Sequence, residues 1–532
     1  MKPGYFLFSS LFKLSAALLI LSVLLNLNYP ANYVWSWQLL QPSPDVWLLL
    51  SLLAVAACFG KRPLFVTSLT VWGVFLALRL FRIGDTGVPM YLNRPLNLYI
   101  DSAYLLGLYD LLKTSSRHGD FLLMSTKVTV VVLGAIVASW YAWQTAARTL
   151  LDKRVRLFFL ILSGSLLCTG LIWEWPTVKP PVTARLGQQT LLIRQQISHQ
   201  QAIVNRLQKT ARDRGTGPFP LNGLQGADVL LFMVESYGHV VFSQPRYRQA
   251  MAATMTDFTK ILDRHGFTAV SSYLVSPTYG GSSSLAHSSL EFGVKVGNHL
   301  EEKALLHSAL PPLASYFAES GYRTVSVMPG TRFAFPEGSA FGYDQYYYAW
   351  HFNYRGPTFG WAPMSDQFVL DWVRRREFVK RQQPLFVRYV LISSHAAFSI
   401  QPPFITDWEG IGDGSVYKDR QLIYYPIYWP DLKNAGEAYL RSLDYEFTIL
   451  GDYLAKYVST DSLIIIMGDH QPNLQLTGAG EPWSVPVHIM SRNAHLLEPF
   501  SNRGYTPGLI PAQSPPHAGM ETFLPQFIED FR

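Results

Sequence analysis

Four short stretches of this chain carry side chains able to do chemistry together. Glu235 follows VLLFMV, Ser283 lies in YGGSSSLAH, His395 follows VRYVLISS, and Asp469-His470 follows SLIIIMG. Three of them share one pattern: an apolar, β-branched run stops abruptly and a carboxylate or imidazole comes next. Glu235 and Asp469 are hard anionic ligands and His470 is a borderline nitrogen ligand, a set that suits Zn²⁺ or Mn²⁺. A carboxylate after a strand is more often a helix cap. Here the pattern recurs, and Asp469-His470 follow a fully apolar strand through a single glycine, where they meet no packing need.

Ser283 sits in Gly280-Gly281-Ser282-Ser283-Ser284 and leads into LAHSSLEF, a helix start. Glycines let backbone approach closely, and amides at a helix N-terminus stabilise an incoming phosphate. A serine hydroxyl on a divalent cation loses its proton more readily and attacks phosphorus. Alone, such a serine is usually a plain N-cap, and Ser282 and Ser284 remain alternatives for the nucleophile. His395 is expected to hold a phosphate oxygen or to protonate a leaving group. His517, in SPPHAGMETFLP, is expected to approach the same crevice.

These residues need a scaffold that gathers strand ends. From about 226 onward, strand-like runs alternate with helical patterns. The strands are DVLLFMV, YRTVSVM, PLFVRYVLI, SLIIIM and SVPVHIM, and the helices include 250–265, 306–320, 365–381 and 434–457. The alternation predicts a mainly parallel sheet covered by helices on both faces. In such sheets ligands collect at the carboxyl ends of strands.

A chain of 532 residues exceeds one core. Apolar segments crowd its first third, near 14–34, 46–60, 63–80, 122–143 and 156–175. The first, fourth and fifth are long enough to span about 30 Å of hydrocarbon; the second is short, and the third carries Arg79. Lys2, Lys61-Arg62 and the Arg148–Arg156 cluster fall where the positive-inside rule gives five helices, with the C-terminal two-thirds outside the cytoplasm. LNLYIDSAYLLGLYDLL, before the fourth segment, reads as an amphipathic stretch lying on the membrane surface. Trp35, Trp37, Trp140, Trp143, Trp173 and Trp175 read as interfacial belts. The expected organisation is a membrane domain over 1–176, a connector with a polar helix over 177–225, and a catalytic domain over 226–532. A net charge of +7 without a dense Lys/Arg run gives no footprint for nucleic acid. Two cysteines, Cys58 and Cys168, both in apolar runs, build neither a disulfide framework nor a Cys-based zinc site.

VLLFMVES, GGSSSLAH, FGWAPMSDQF, VLISSHAAF and IIIMGDH stand in the order and approximate spacing of the sulfatase-like branch of the alkaline phosphatase superfamily. Within it the chain resembles lipoteichoic acid synthases and phosphoethanolamine transferases, which carry five spans before an extracytoplasmic catalytic domain. The resemblance implies a metal set of Glu235, Ser283, Asp469 and His470, a phosphate-binding His395, and Trp361 beside a headgroup pocket. It also implies a bacterial inner-membrane enzyme with a phospholipid donor and an envelope glycan or lipid acceptor. Three departures bear on specificity. Those transferases usually have threonine where Ser283 stands. The synthases carry a histidine where this chain has Pro329, in VMPGTRF, and the disulfides of many phosphoethanolamine transferases are missing. No C/S-x-P-x-R motif occurs, which excludes the formylglycine chemistry of true sulfatases. The competing readings are a phosphatase or phosphodiesterase with water as acceptor, and a non-catalytic lipid-sensing scaffold.

Overall fold

Whether an apolar run becomes helix or strand here follows its length. The computed structural model describes residues 3–27, 37–40, 42–102, 118–172, 182–214, 217–333, 335–379, 381–398, 400–424, 433–459, 462–512 and 518–532. The chain divides into two units, one from residues 1–90, 94–101 and 118–196, the other chiefly from residues 197–532.

In the first unit the long apolar runs form helices Pro3–Asn26, Pro44–Cys58, Lys61–Leu92, His118–Thr149 and Lys153–Ile172. Among the described residues, three are long and apolar enough to cross a membrane: Leu7–Asn26, Lys61–Leu92 and Ser125–Thr149. The third helix runs through Arg79 to Leu92, well past the end its charges suggest. Arg82 is buried and lies 3.8 Å from Asp85 one turn on, so the two charges meet within the helix rather than ending it. Trp143 is fully buried and packs edge-on against Phe75, so it is interior packing and not an interfacial anchor. Trp35, Trp173, Trp175 and most of the expected surface-lying stretch fall outside the described residues. One helix, Val182–Arg214, covers most of the polar connector. Asp45 caps its start, accepting from the Val182 amide at 2.8 Å and the Thr183 amide at 3.1 Å.

In the second unit the shorter runs form strands: β1 Asp228–Val234, β2 Thr268–Val275, β3 Arg323–Met328, β4 Gln345–Tyr348, β5 Leu385–Leu391, β6 Ile400–Gln401, β7 Ile423–Tyr424, β8 Ser462–Gly468, β9 Ser484–Ser491, β10 Thr506–Pro507 and β11 Ala518–Gly519. The main sheet has the order β10-β2-β9-β8-β1-β5-β3-β4, with β11 on β2. The block β8-β1-β5-β3-β4 is parallel throughout, while β9 runs antiparallel to both β8 and β2. The sheet is therefore mainly parallel, as the sequence predicts. β6 and β7 form a separate two-stranded sheet.

Alternate residues of β1 feed two cores. Leu230, Phe232 and Val234 face one, with Met251, Phe258, Phe368, Leu450 and Leu454 of helices Pro245–Arg264, Asp366–Val373 and Lys433–Tyr457. Val229, Leu231 and Met233 face the other, with Leu290, Phe317 and Phe527 of helices Ser283–Phe292, Leu313–Glu319 and Phe523–Asp530. Both faces are covered, which is why β1 and β8 read as continuous apolar runs rather than alternating ones. Two strands carry no such run. β2 (TAVSSYLV) is interrupted by Ser271, whose hydroxyl bonds the buried His488 Nδ1 at 2.7 Å, and β4 is QYYY. The expected helix at 306–320 starts only at Leu313, because Pro311 and Pro312 precede it.

The helix that begins with Ser283 is held at its far end from inside the sheet. Glu291 pairs with Arg388 of β5, both fully buried, and also accepts from the Tyr343 hydroxyl at 2.8 Å. Arg388 donates in addition to the Ser326 hydroxyl of β3 at 2.6 Å. Removing one partner strands the other charge in a dry core. Glu291→Ala is therefore expected to destabilise this unit by about 3–5 kcal/mol, and Glu291→Leu with Arg388→Met to recover most of the loss. Denaturant unfolding of the detergent-solubilised chain measures both.

Candidate active site

The register of β1, β5 and β8 brings three strand exits to one level. Val234 pairs with Leu391 on one side and with Gly468 on the other. The next residues along, Glu235, Ile392 and Asp469, therefore emerge side by side from the carboxyl edge of the sheet. Gly468 is required where it stands: a Cβ there would lie 1.8 Å from the Tyr237 carbonyl oxygen. Ser283 comes from a different direction, at the first position of its helix, after the turn that follows β2.

These four side chains meet. Ser283 Oγ donates to Glu235 Oε2 at 2.9 Å and lies 3.1 Å from His470 Nε2. His470 Nε2 is 3.1 Å from Glu235 Oε1 and 3.7 Å from Asp469 Oδ2. Ligand atoms from Glu235, Asp469 and His470 all fall within 4.8 Å of one another, and all three residues are buried. Two ligands bound at about 2.0–2.1 Å to one tetrahedral ion stand about 3.3 Å apart. The donor set and its spacing thus fit a single divalent cation.

The surroundings orient each ligand. His470 Nδ1 lies 2.7 Å from the Gln471 carbonyl, to which it donates, leaving Nε2 for the cluster. Asp469 Oδ1 accepts from the amides of Ser236 at 2.8 Å and His470 at 2.7 Å. The Ser276 hydroxyl holds the Asp469 carbonyl at 2.6 Å, and the Ser394 hydroxyl holds the Glu235 carbonyl at 2.7 Å. Ser236 and Ser282, which flank Glu235 and Ser283, both have left-handed backbone, with φ of 58° and 62°. Non-glycine residues adopt that conformation at a cost that clusters at functional sites.

Without a cation the cluster is electrostatically frustrated. Burial opposes the charge on Glu235, yet His470 and His395 opposite it hold its carboxyl well below the usual range. Burial and the neighbouring Glu235 charge push Asp469 up. Burial disfavours a charged His470, but Asp469 and Glu235 outweigh it and push the imidazole up to about 9. Protons and a divalent cation therefore compete for this cluster, and a cation takes the place of the protons it would otherwise hold.

His395 joins from the β5 exit. Its ring stacks on Trp361, with centroids 3.8 Å apart and an interplanar angle of 12°, and its Nδ1 lies 2.5 Å from the Ala396 carbonyl. Burial lowers its pKa. The Arg332 guanidinium lies 5.3 Å from the Trp361 ring centroid and donates to the Trp361 carbonyl. Gly330 makes this packing feasible, since a Cβ there would sit 2.8 Å from the Trp361 ring. Arg332 is absent from the sequence-derived set. Its signal is the same strand ending, because Arg332 follows β3 across Pro329-Gly330-Thr331, as Asp469 follows the apolar run of β8 after Gly468. Of the alternative serines, Ser284 is exposed and turns to Glu302 Oε2 at 3.1 Å, away from the cluster. His517 lies outside the described residues.

No family model and no curated protein matches this chain. Solved structures similar to it include three bacterial proteins. The lipoteichoic acid synthase LtaP from Listeria monocytogenes is 15% identical over 56% of this chain and 70% of its own, with a TM-score of 0.36. The C-terminal periplasmic domain of EcEptC from Escherichia coli is 14% identical over 58% and 81%, with a TM-score of 0.36. The Streptococcus pyogenes phosphoglycerol transferase GacH, in complex with sn-glycerol-1-phosphate, is 11% identical over 62% and 91%, with a TM-score of 0.32.

Because His470 and Asp469 must shed protons to bind a cation, affinity falls as pH drops below about 9 and falls further once Asp469 takes a proton. Calorimetric titration of the metal-stripped chain with Zn²⁺ or Mn²⁺ is expected to show at least tenfold weaker binding near pH 6 than near pH 8, with protons released on binding.

Proposed function

We propose that this protein is a membrane-anchored, metal-dependent phosphotransferase of the sulfatase-like branch of the alkaline phosphatase superfamily. It moves a phospho-alcohol headgroup, phosphoethanolamine or phosphoglycerol, from a membrane phospholipid to an envelope glycan or lipid, through a phosphoserine at Ser283. The observation that carries the reading is that Ser283 Oγ contacts Glu235 at 2.9 Å and His470 at 3.1 Å, inside a buried cluster of cation ligands. The order of the surrounding motifs supports the family, and three helices long and apolar enough to cross a membrane support a lipid donor.

Glu235, Asp469, His470 and the Ser283 hydroxyl would hold the cation, zinc or manganese. Bound there, it lowers the hydroxyl pKa and neutralises charge on the phosphoryl oxygens. The chain's own groups do the rest. Ser283 releases its proton through the hydrogen bond to Glu235 and on to solvent, Glu235 itself staying ionised, and Oγ forms the new bond to phosphorus as the bond to the diacylglycerol oxygen breaks. His395, charged when a phosphate oxygen faces it, donates a proton to that leaving oxygen. In the second half the neutral His395 takes a proton from the acceptor hydroxyl as its oxygen attacks phosphorus, and Ser283 is released and regains its proton from solvent. Arg332 and the Trp361–His395 stack form a cationic, flat-walled wall for the headgroup. The positive-inside pattern of the first third supports an extracytoplasmic catalytic face on a bacterial inner membrane.

Incubating the purified chain with labelled phospholipid and mapping the adduct by mass spectrometry tests the reading. Label is expected on Ser283, and Ser283→Ala is expected to lose turnover by about a thousandfold or more. An adduct on another residue, or undiminished turnover in the variant, overturns it. Release of the headgroup to water even with glycan acceptors present reassigns the protein as a hydrolase.

A further inference from the structure

Asp366 and Glu446 are both fully buried, on helices Asp366–Val373 and Lys433–Tyr457, and face one another within hydrogen-bonding reach. Neither belongs to the cluster described above. Asp366 Oδ2 accepts from the amides of Ile392 at 2.8 Å and Ser393 at 2.5 Å. Its own amide donates to the Ser393 hydroxyl at 3.2 Å. The remaining oxygens, Asp366 Oδ1 and both of Glu446, accept no well-aligned hydrogen bond from another residue, although the Ser393 and Ser394 amides lie near enough to Glu446 to favour its charge. Among the described residues no lysine, arginine or histidine pairs with either carboxyl.

Two carboxylates in a dry core without a cation cannot both be ionised. Asp366 has the better claim to the charge, because it accepts two amides and lies in the first turn of its helix. Glu446 has only the more loosely placed Ser393 and Ser394 amides to set against its full burial and the Asp366 charge. Its O–H therefore donates to the Asp366 carboxylate, a charge-assisted bond between helix and helix. Burial and the adjacent Asp366 charge push the Glu446 pKa well up, in line with that assignment.

What the pair grips is the segment leaving β5. Ile392 and Ser393 lead directly to Ser394, whose hydroxyl holds the Glu235 carbonyl at 2.7 Å, and to His395. Asp366 itself ends the stretch WAPMSD, which carries Trp361. One carboxylate thus joins the two chain segments whose rings stack 3.8 Å apart beside the proposed nucleophile.

We propose that Asp366 and Glu446 share one proton and act together as positioning residues, clamping the His395 segment to the Trp361 segment. For its effect on turnover this rests on the transferase reading above; the shared proton and the clamp do not. The experiment therefore has arms with and without substrate, on the full chain in detergent, comparing wild type with Glu446→Gln, Glu446→Leu and Asp366→Asn.

Difference infrared spectra near neutral pH are expected to show a protonated-carboxyl band, sensitive to deuterium, that is lost in Glu446→Gln. The glutamine keeps a neutral donor to Asp366, so the clamp survives. Modification of His395 by diethyl pyrocarbonate, read by peptide mass spectrometry, is expected at the wild-type rate in Glu446→Gln and about three- to tenfold faster in Glu446→Leu. Turnover is expected to follow the same order, within about threefold in Glu446→Gln and reduced about ten- to a hundredfold in kcat in Glu446→Leu. The limb of the pH profile assigned to His395 is expected to move towards the ordinary imidazole range of about 6.5 only in the leucine variant. An unchanged infrared band in Glu446→Gln overturns the shared proton. Wild-type His395 reactivity in a folded Glu446→Leu chain overturns the clamp. If Glu446→Leu fails to fold, Asp366→Asn, which weakens acceptance of the two amides, takes its place in both arms. If wild-type chain turns over no phospholipid while the infrared and modification arms behave as expected, the transferase reading fails and the clamp stands.

Discussion

The site depends on one uncomfortable arrangement: two carboxylates and an imidazole forced together, out of water, at the ends of neighbouring strands. Glu235 and Asp469 cannot avoid one another, because β1 and β8 are parallel and paired so that Val234 stands beside Gly468. Side chains have no room to diverge where the backbones are locked into a common ladder. Like charges at such distances in a low dielectric repel strongly. Only a proton or a metal cation resolves the repulsion. The hydroxyl that completes the ring arrives from outside the sheet, so Ser283 is placed by how its helix docks rather than by strand register.

The docking is correspondingly well secured. The Ser283 helix packs its apolar face into one of the two cores and is tied to β5 at its other end through Glu291 and Arg388. Arg388 lies between β1-side and β3-side residues, so the strand that delivers His395 also anchors the helix that delivers Ser283. Movement of either element would alter both. The left-handed backbone at Ser236 and Ser282 fits the same picture, with strain held at the two chain reversals that aim the reacting groups. A cluster of this kind is assembled by rigid elements meeting, not by a flexible loop folding over.

Much of this was visible in the residues alone. Abrupt strand endings marked Glu235, Asp469-His470 and His395, because a doubly covered sheet needs unbroken apolar runs and shows its polar groups only where a strand leaves the core. The same logic hid what did not follow the pattern. β2 was overlooked because its interior serines break the run, although one of them satisfies a buried histidine. Glu446 was indistinguishable from a solvated carboxylate on an amphipathic helix, since a position's partner across the core leaves no mark on its own neighbours. The third long helix continues past the arginines at which its apolar run stops, because Arg82 and Asp85, three residues apart, meet once the backbone is helical.

The order of residues thus settled which groups were available and which strands would bury them: composition, periodicity and the places where apolar runs stop are local properties. Distances were settled elsewhere. That Ser283 rather than Ser282 or Ser284 reaches Glu235, that Trp361 lies flat against His395, and that two remote carboxyls face one another all follow from how helices seat on the sheet. Those contacts join positions far apart along the chain, and no local pattern records them, because they are fixed by the packing of whole surfaces against one another.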